Sequence, residues 1–303
     1  ISTKNEIKDL KVELNVLDKL IKNKKFLDDY IIDELKKINI EVDKKIIQRR
    51  TLIDLDSSYN NEIDLEEFQE IEKITVVLLK DGSLKSFKDH LDKEKLKKTI
   101  KNINSSIHTY SNKKILIFVS SGRVFTVDPN LLPSGKSNSK NFIFFVESST
   151  NEKVLNIMSY NNDQKCIVAS KSGKGFIADL SDIITSQKKG KQLFNLKDGD
   201  QLISVTNNLN SYIACVSTNT KLLIFKSSEL PTLKKGGGVQ LQKLKKDYFL
   251  SDIQTFEISD GIKWISGSKT KIEKNINFWI GKRSQSGKKV PKRFNKNLKF
   301  INI

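Results

Sequence analysis

Four stretches of this chain repeat one local plan: ITVVLLKDGSLKSF (74–87), KILIFVSSGRVFTVD (114–128), KCIVASKSGKGFIAD (165–179) and SYIACVSTNTKLLIF (211–225). Each reads as an apolar strand, a tight turn and an alternating strand, which is the pattern of a β-hairpin. The turn residues are read as Gly82, Gly122, Gly173 and Asn219, spaced 40, 51 and 46 residues apart. Glycine supplies the positive φ of such a turn without steric cost, and asparagine tolerates it next best. A fifth, weaker copy is KWISGSKTKIEKNINFWI (263–280). A period of about 40–50 residues carrying several short strands marks a blade-like array. One such sheet cannot hide both faces from water, whereas copies stacked around an axis can. A β-sandwich with coincidental spacing is the alternative.

The segments after the hairpins repeat as well. The continuations are DPNLLPSGKSNSKNFIFF (128–145), DLSDIITSQKKGKQLFNL (179–196) and KSSELPTLKKGGGVQLQKL (226–244), and the fifth copy ends GKRSQSGKKVPKRF (281–294). Each holds a short turn, a basic glycine-bearing loop and another apolar stretch. Repetition of the blade would display those loops along one rim. Glycine lets backbone amides approach an anion, and flanking Lys or Arg supply charge. The candidate binding residues are Lys136 and Lys140; Lys188, Lys189 and Lys191; Lys234 and Lys235; and Lys282, Arg283, Lys288, Lys289, Lys292 and Arg293. For any one of them a solvated surface role is the alternative.

Charge distribution agrees with that reading. The net charge is +18, yet residues 1–73 carry 14 basic and 18 acidic side chains while 74–303 carry 40 and 18. A compositional bias would act on both segments alike. A basic segment beside an acidic one points to a polyanionic partner, either nucleic acid or an anionic membrane. Neutralising ~6–10 phosphates would make binding steeply salt-dependent. No recognition helix, zinc finger or aromatic RNA-binding strand is present, so binding by charge and deformation is expected, without base readout.

The first stretch reads as helix. Ile7, Leu10, Leu14, Leu17 and Ile21 share one face, and a second amphipathic run extends from Phe26 to Ile38 after the polar KNKK, with Asp28 and Asp29 near its start and Lys36 and Lys37 near its end suiting the helix dipole. Their narrow apolar faces suggest coiled-coil packing, a small bundle docked on the second domain being the alternative. The expected organisation is a helical segment 1–53, an acidic linker 54–73 with a short helix at Leu65–Ile71, and a β domain 74–303. The chain starts at Ile1, which suggests a piece of a longer protein. No apolar run reaches the ~18 residues of a membrane span. Cys166 and Cys215 sit in apolar runs, as core residues of a protein from a reducing cytoplasm do. With His90 and His108 the only histidines, and no GxSxG, HExxH or Walker loop, catalytic and metal sites are not expected.

At these residues the chain resembles the A subunits of topoisomerase IV, relatives of the gyrase A subunit. DELKKINIEVDKKIIQRRTLI (33–53), with Arg49, Arg50 and Thr51, is similar to the end of the family's coiled-coil arm. LIFVSSGRVFTVDPNLLPS (116–134), GKGFIADLSDIITSQKKGKQLFNL (173–196) and SELPTLKKGGGVQLQKL (228–244) match in the family's order. The resemblance implies a mainly β, propeller-like β-pinwheel of about five blades after a helical arm, whose basic rim binds and bends double-stranded DNA. It implies a role in choosing substrates for decatenation and supercoil relaxation, a cytoplasmic, nucleoid-associated location and no membrane partner. An A-subunit homodimer and an ATPase B subunit would be the partners in the full enzyme, with ATP and Mg acting in other parts and no cofactor here. Gyrase A relatives carry a glycine-rich basic box of the type QRRGGKG after the first blade. Here that loop is DHLDKEKLKKTIKN (89–102), without glycine, which favours topoisomerase IV over a gyrase wrapping domain. The family's nucleophile is a tyrosine preceded by arginine, and Tyr30, Tyr59, Tyr110, Tyr160, Tyr212 and Tyr248 all lack one, so strand cleavage is not expected of this chain. A protein-interaction propeller with a basic rim is the competing class.

Overall fold

The computed structural model describes residues 2–41, 71–148, 152–207 and 209–301. The chain divides into two units, Ile1–Asp64 and Leu65–Ile303.

Among the described residues the first unit holds two helices, α1 (Ser2–Lys22) and α2 (Lys24–Glu41), separated by Asn23. Asn23 caps α2 by accepting the Phe26 amide at 3.3 Å. Because α2 begins before Phe26 and ends beyond Ile38, its first turn has no acid and its last turn no base. Lys36 and Lys37 pair instead with Asp33 and Glu34, at 3.2 and 2.7 Å. Leu10, Leu14 and Ile21 remain exposed on α1. Arg49, Arg50, Thr51 and the expected linker as far as residue 70 lie outside the described residues.

The second unit is β-structure built from five hairpins, at the five sequence repeats. They are β1 (Lys73–Leu79) with β2 (Ser83–Lys88), β4 (Ile115–Val119) with β5 (Arg123–Val127), and β8 (Lys165–Ser170) with β9 (Lys174–Asp179). Then come β12 (Tyr212–Ser217) with β13 (Lys221–Lys226), and β16 (Ile262–Ser266) with β17 (Lys269–Glu273). In the first four a third strand pairs with the first: β3 (Ile103–Tyr110), β7 (Val154–Ser159), β11 (Leu202–Thr206) and β15 (Leu250–Phe256).

The fourth strand of each sheet comes from the following repeat. β6 (Lys140–Asn141) pairs with β2, β10 (Lys191–Gln192) with β5, β14 (Val239–Gln240) with β9, and β18 (Lys288–Lys289) with β13. Each blade therefore lends one short strand to its predecessor, and the crossing segments act as straps. Strap 1 covers residues 129–147, strap 2 180–196, strap 3 227–244 and strap 4 276–293. After the first hairpin the glycine-free segment makes no strap but a helix, α3 (Lys93–Thr99), which buries Leu96.

Register is set at the hairpin turns. Gly82, Gly122 and Gly173 have φ of 83°, 80° and 81°, and the fourth residue in this place is Thr220, with φ 59°. Asn219, expected there, precedes it. Ser217 pairs with Lys221 across the hairpin, so the residue directly before Lys221 must turn left-handed. Asn219 instead accepts the Ser217 hydroxyl at 2.6 Å. The four turn carbonyls all receive a strap amide: Phe142 to Gly82 at 3.1 Å, Leu193 to Gly122 at 3.0 Å, Leu241 to Gly173 at 2.7 Å and Val290 to Thr220 at 3.0 Å.

Strand alternation sends successive side chains to opposite faces, so each inner blade feeds two cores. Ile115, Ile117 and Phe125 pack against the first blade, whereas Leu116, Phe118 and Val124 pack against the third. Four such cores fill the four gaps between consecutive blades. No comparable core among the described residues joins the fifth blade to the first. The fifth blade has a two-stranded sheet, completed by the C-terminal segment, where the Ile301 amide donates to Lys263 O at 3.0 Å. The inner strands face a channel of about 650 Å³, lined in part by Ser105, Asn156, Thr206 and Gln254.

Candidate nucleic-acid interface

Because β3, β7, β11 and β15 line the channel, the short fourth strands lie on the outer edge of their sheets. The straps that carry them are hydrogen-bonded to one another in sequence. Glu147 N donates to Lys188 O at 2.9 Å, joining strap 1 to strap 2. Asn195 N to Gly236 O at 2.8 Å and Gly236 N to Leu193 O at 3.2 Å join straps 2 and 3. Lys243 N to Gln285 O at 3.0 Å and Ser284 N to Leu241 O at 2.9 Å join straps 3 and 4. The straps that carry the basic loops therefore form one hydrogen-bonded band.

Glycine serves this crossing. Gly287, directly before β18, has φ 75°, and a Cβ there would sit 2.4 Å from Leu222 O. Gly238, directly before β14, has φ 68°, and its Cβ would meet Gly175 N at 2.9 Å. The strap backbone must touch the neighbouring strand, and only glycine permits it. The amides need no anion to explain these residues. Gly237 is different, its nearest neighbour being Asn195 O at an ordinary 3.5 Å.

The expected basic residues fall on the band as follows. Lys136 lies in strap 1 and Lys140 on β6; Lys188 and Lys189 precede β10 and Lys191 lies on it; Lys234 and Lys235 precede β14. Lys282 and Arg283 precede β18, Lys288 and Lys289 form it, and Lys292 and Arg293 come after it. All are exposed except the half-buried Arg283. Several already have work within the fold. Arg283 donates to Glu229 O at 3.0 Å and Gln240 O at 2.7 Å, clamping strap 4 to strap 3. Lys191 Nζ donates to Asp182 O at 2.6 Å. The Arg293 carbonyl accepts the Trp264 indole at 3.0 Å, so its backbone is structural. Lys288 Nζ stands 4.4 Å from the Phe278 ring centroid.

Acidic groups also enter the band. Lys234 and Asp182 form an ion pair at 3.0 Å, and Glu229 accepts the Arg283 amide at 2.8 Å. Each joins neighbouring straps, so each tempers the local positive charge. Further cations stand beside the straps that the loop pattern did not bring forward. Arg123, Lys174 and Lys221 come directly after the hairpin turns and pair with Gln192, Gln240 and Lys289 of the fourth strands. The signal for them was the recurring basic residue after the turn glycine. Exposed Lys243 lies in strap 3, past the loop.

Neither cysteine belongs to the band. Both are fully buried, and burial, aided by the Asp179 charge, pushes the Cys166 thiol up to about 12. Among the described residues no group of three or more His, Cys, Asp or Glu could hold a metal, and no helix is long and apolar enough to cross a membrane.

Comparison with known proteins agrees with this architecture. The family model described as "DNA gyrase C-terminal domain, beta-propeller" matches residues 164–207 and 211–257. The DNA topoisomerase 4 A subunit of Rickettsia felis is 33% identical over 98% of this chain, and that of Rickettsia conorii is 34% identical over 98%. The chain spans 40% of the length of each. The solved C-terminal domain of Escherichia coli ParC superposes with a TM-score of 0.64 at 19% identity, covering 74% of this chain and 96% of that one. With the strand-exchanged blades and the four straps, the chain is similar along nearly its whole length to DNA topoisomerase 4 A subunits, and its β unit has the propeller fold of the solved ParC C-terminal domain.

Proposed function

We propose that residues 71–301 bind duplex DNA along the strap band and bend it there, without reading base sequence. The continuity of the band supports this above all. Four straps bonded edge to edge carry cations on the outer edge of four successive blades, which suits a backbone that must meet them one after another. The curvature of a ring edge makes contact with several blades conditional on a bent duplex, and added phosphate contacts repay the bending cost. Catalysis of strand passage, pairing of A subunits and contact with an ATPase subunit belong, on this reading, to the longer family protein. The chain's part is to hold a DNA segment at the nucleoid and bias which crossings are acted on. A glycine-free α3 in place of a fifth strap favours this over tight gyrase-type wrapping.

Binding of the chain to a duplex of about 40 base pairs, measured at about 50 and about 200 mM salt, tests the reading. A loss of roughly 10³-fold or more supports it, since each neutralised phosphate contributes a slope of about 0.9 in log K against log salt. Affinity that stays flat with salt overturns it. A basic-rimmed protein-interaction module would hold its partner undiminished when plasmid DNA competes.

A further inference from the structure

The strap–turn hydrogen bonds align the straps residue by residue. Two positions after each strap amide bonded to a turn carbonyl stand Phe144, Asn195, Lys243 and Lys292. All four are exposed. Three are polar or cationic, as a phosphate-facing band requires, and the fourth is a phenylalanine 73% open to solvent. No core accounts for it. Its neighbours Phe142 and Val146 are buried between the first two blades, which anchors the backbone on both sides of the ring.

The local geometry holds the ring out. Strap 1 alone has a 3-10 turn at this place, Phe142–Phe144. The Asn141 side chain caps it by accepting the Ile143 amide at 3.2 Å, and the Phe145 amide closes it on Phe142 O at 3.0 Å. Three residues on, Glu147 N bonds to Lys188 O, so the turn adjoins the lysines of strap 2. A second exposed ring, Phe278, 58% open, stands in strap 4 near Lys288. Each end of the band therefore has an exposed aromatic beside cations.

We infer that Phe144 is an apolar wedge that enters a base step of the duplex held on the band, unstacking it and localising the bend. The inference rests on the DNA-binding function proposed for the band. Cations of the adjoining straps fix the phosphates while a ring on an anchored backbone exchanges water for base faces. A ring in a row whose other members are polar or cationic adds no phosphate contact, so its contribution falls on DNA shape rather than on salt dependence.

Full-length chain, Phe144→Ala and Phe144→Lys are compared on duplexes bearing 2-aminopurine at successive positions and a fluorophore pair at the ends. The wild type should raise 2-aminopurine emission severalfold and shorten the end-to-end distance. Both variants should lose the emission rise and most of the shortening, while binding falls by less than about tenfold. The lysine variant should steepen the salt slope by about 0.9. Superimposable thermal melts show that the fold is intact. Variants that unstack and bend DNA like the wild type overturn the wedge and leave DNA binding standing, as does a wild type that binds without any emission rise. A wild type that does not bind duplex overturns both readings.

Discussion

The Lys234 ammonium of strap 3 lies 3.0 Å from the Asp182 carboxylate of strap 2, tying two neighbouring straps across the outer edge of the ring. The lysine is 85% exposed and the aspartate 29%, so solvent screens the pair. Its worth to stability is at most about 1 kcal/mol. The pair also works against an anion-binding band, because it occupies one cation and adds one negative charge. Asp182→Asn should therefore tighten duplex binding by about two- to fivefold at low salt and steepen the salt slope, with melting nearly unchanged. Weaker binding in a titration by fluorescence anisotropy would show that the carboxylate orders the band rather than opposing it.

The strap crossings set distinct costs for neighbouring glycines. Gly287→Ala places a Cβ 2.4 Å from Leu222 O at a left-handed φ, and should destabilise by roughly 2–4 kcal/mol. Gly237→Ala meets nothing closer than 3.5 Å and should stay within about 0.5 kcal/mol of wild type. Urea unfolding of the two variants reads the difference, and equal midpoints would contradict the crossing geometry.

Thr220 is the converse case. It is β-branched and holds φ 59° where the other hairpins have glycine. Thr220→Gly should relieve left-handed strain and raise stability by about 1 kcal/mol, partly offset by the freer unfolded chain. A lower melting temperature in scanning calorimetry would contradict this.

Asp252 on β15 is buried and accepts the Phe300 amide at 2.9 Å, tying the C-terminal segment to the fourth blade. Burial raises its carboxyl above the ordinary 3.8, against the opposing pull of Lys299. The folded chain thus holds this proton more tightly than the unfolded chain does. Stability from this site is present below 3.8 and is lost as pH rises through the raised value. Asp252→Asn should remove that loss, so the variant gains on wild type in urea midpoints as pH rises above 3.8. A constant difference across the range would refute it.

Burial pushes the thiols of both Cys166 and Cys215 up, the first to about 12. Neither should react with a maleimide near about pH 8 in the folded chain, and both should react in urea, as thiolate content and access dictate. Labelling counted by mass spectrometry checks this, and a thiol modified without unfolding would show that its core opens locally.

The hairpins were legible from sequence because their information is local. ILIFV before SSG and RVF after it specify an apolar strand, a turn and an alternating strand within about 14 residues. The likeness of the loops was legible too, in the recurring Lys and Gly. Their meaning is only partly so. Gly238 and Gly287 look like anion cradles in the sequence, yet they sit where a strap grazes the neighbouring strand, a contact between residues some 60 apart that no local pattern encodes. Asn219 falls one residue early because residue type alone does not reveal which position takes the left-handed turn, and pairing of Ser217 with Lys221 does.

By itself, then, the order of residues determined five blades, the kind of strand in each and the charge of the loops between them. These come from side-chain periodicity and turn chemistry over short spans. Tertiary structure alone decided where each strap lands, and with it whether the cations line up. A two-residue strand such as Lys191–Gln192 has too few hydrogen bonds to choose a partner on its own. Its place on β5 is settled by the core that forms between blades around it, and only that packing sets the straps side by side.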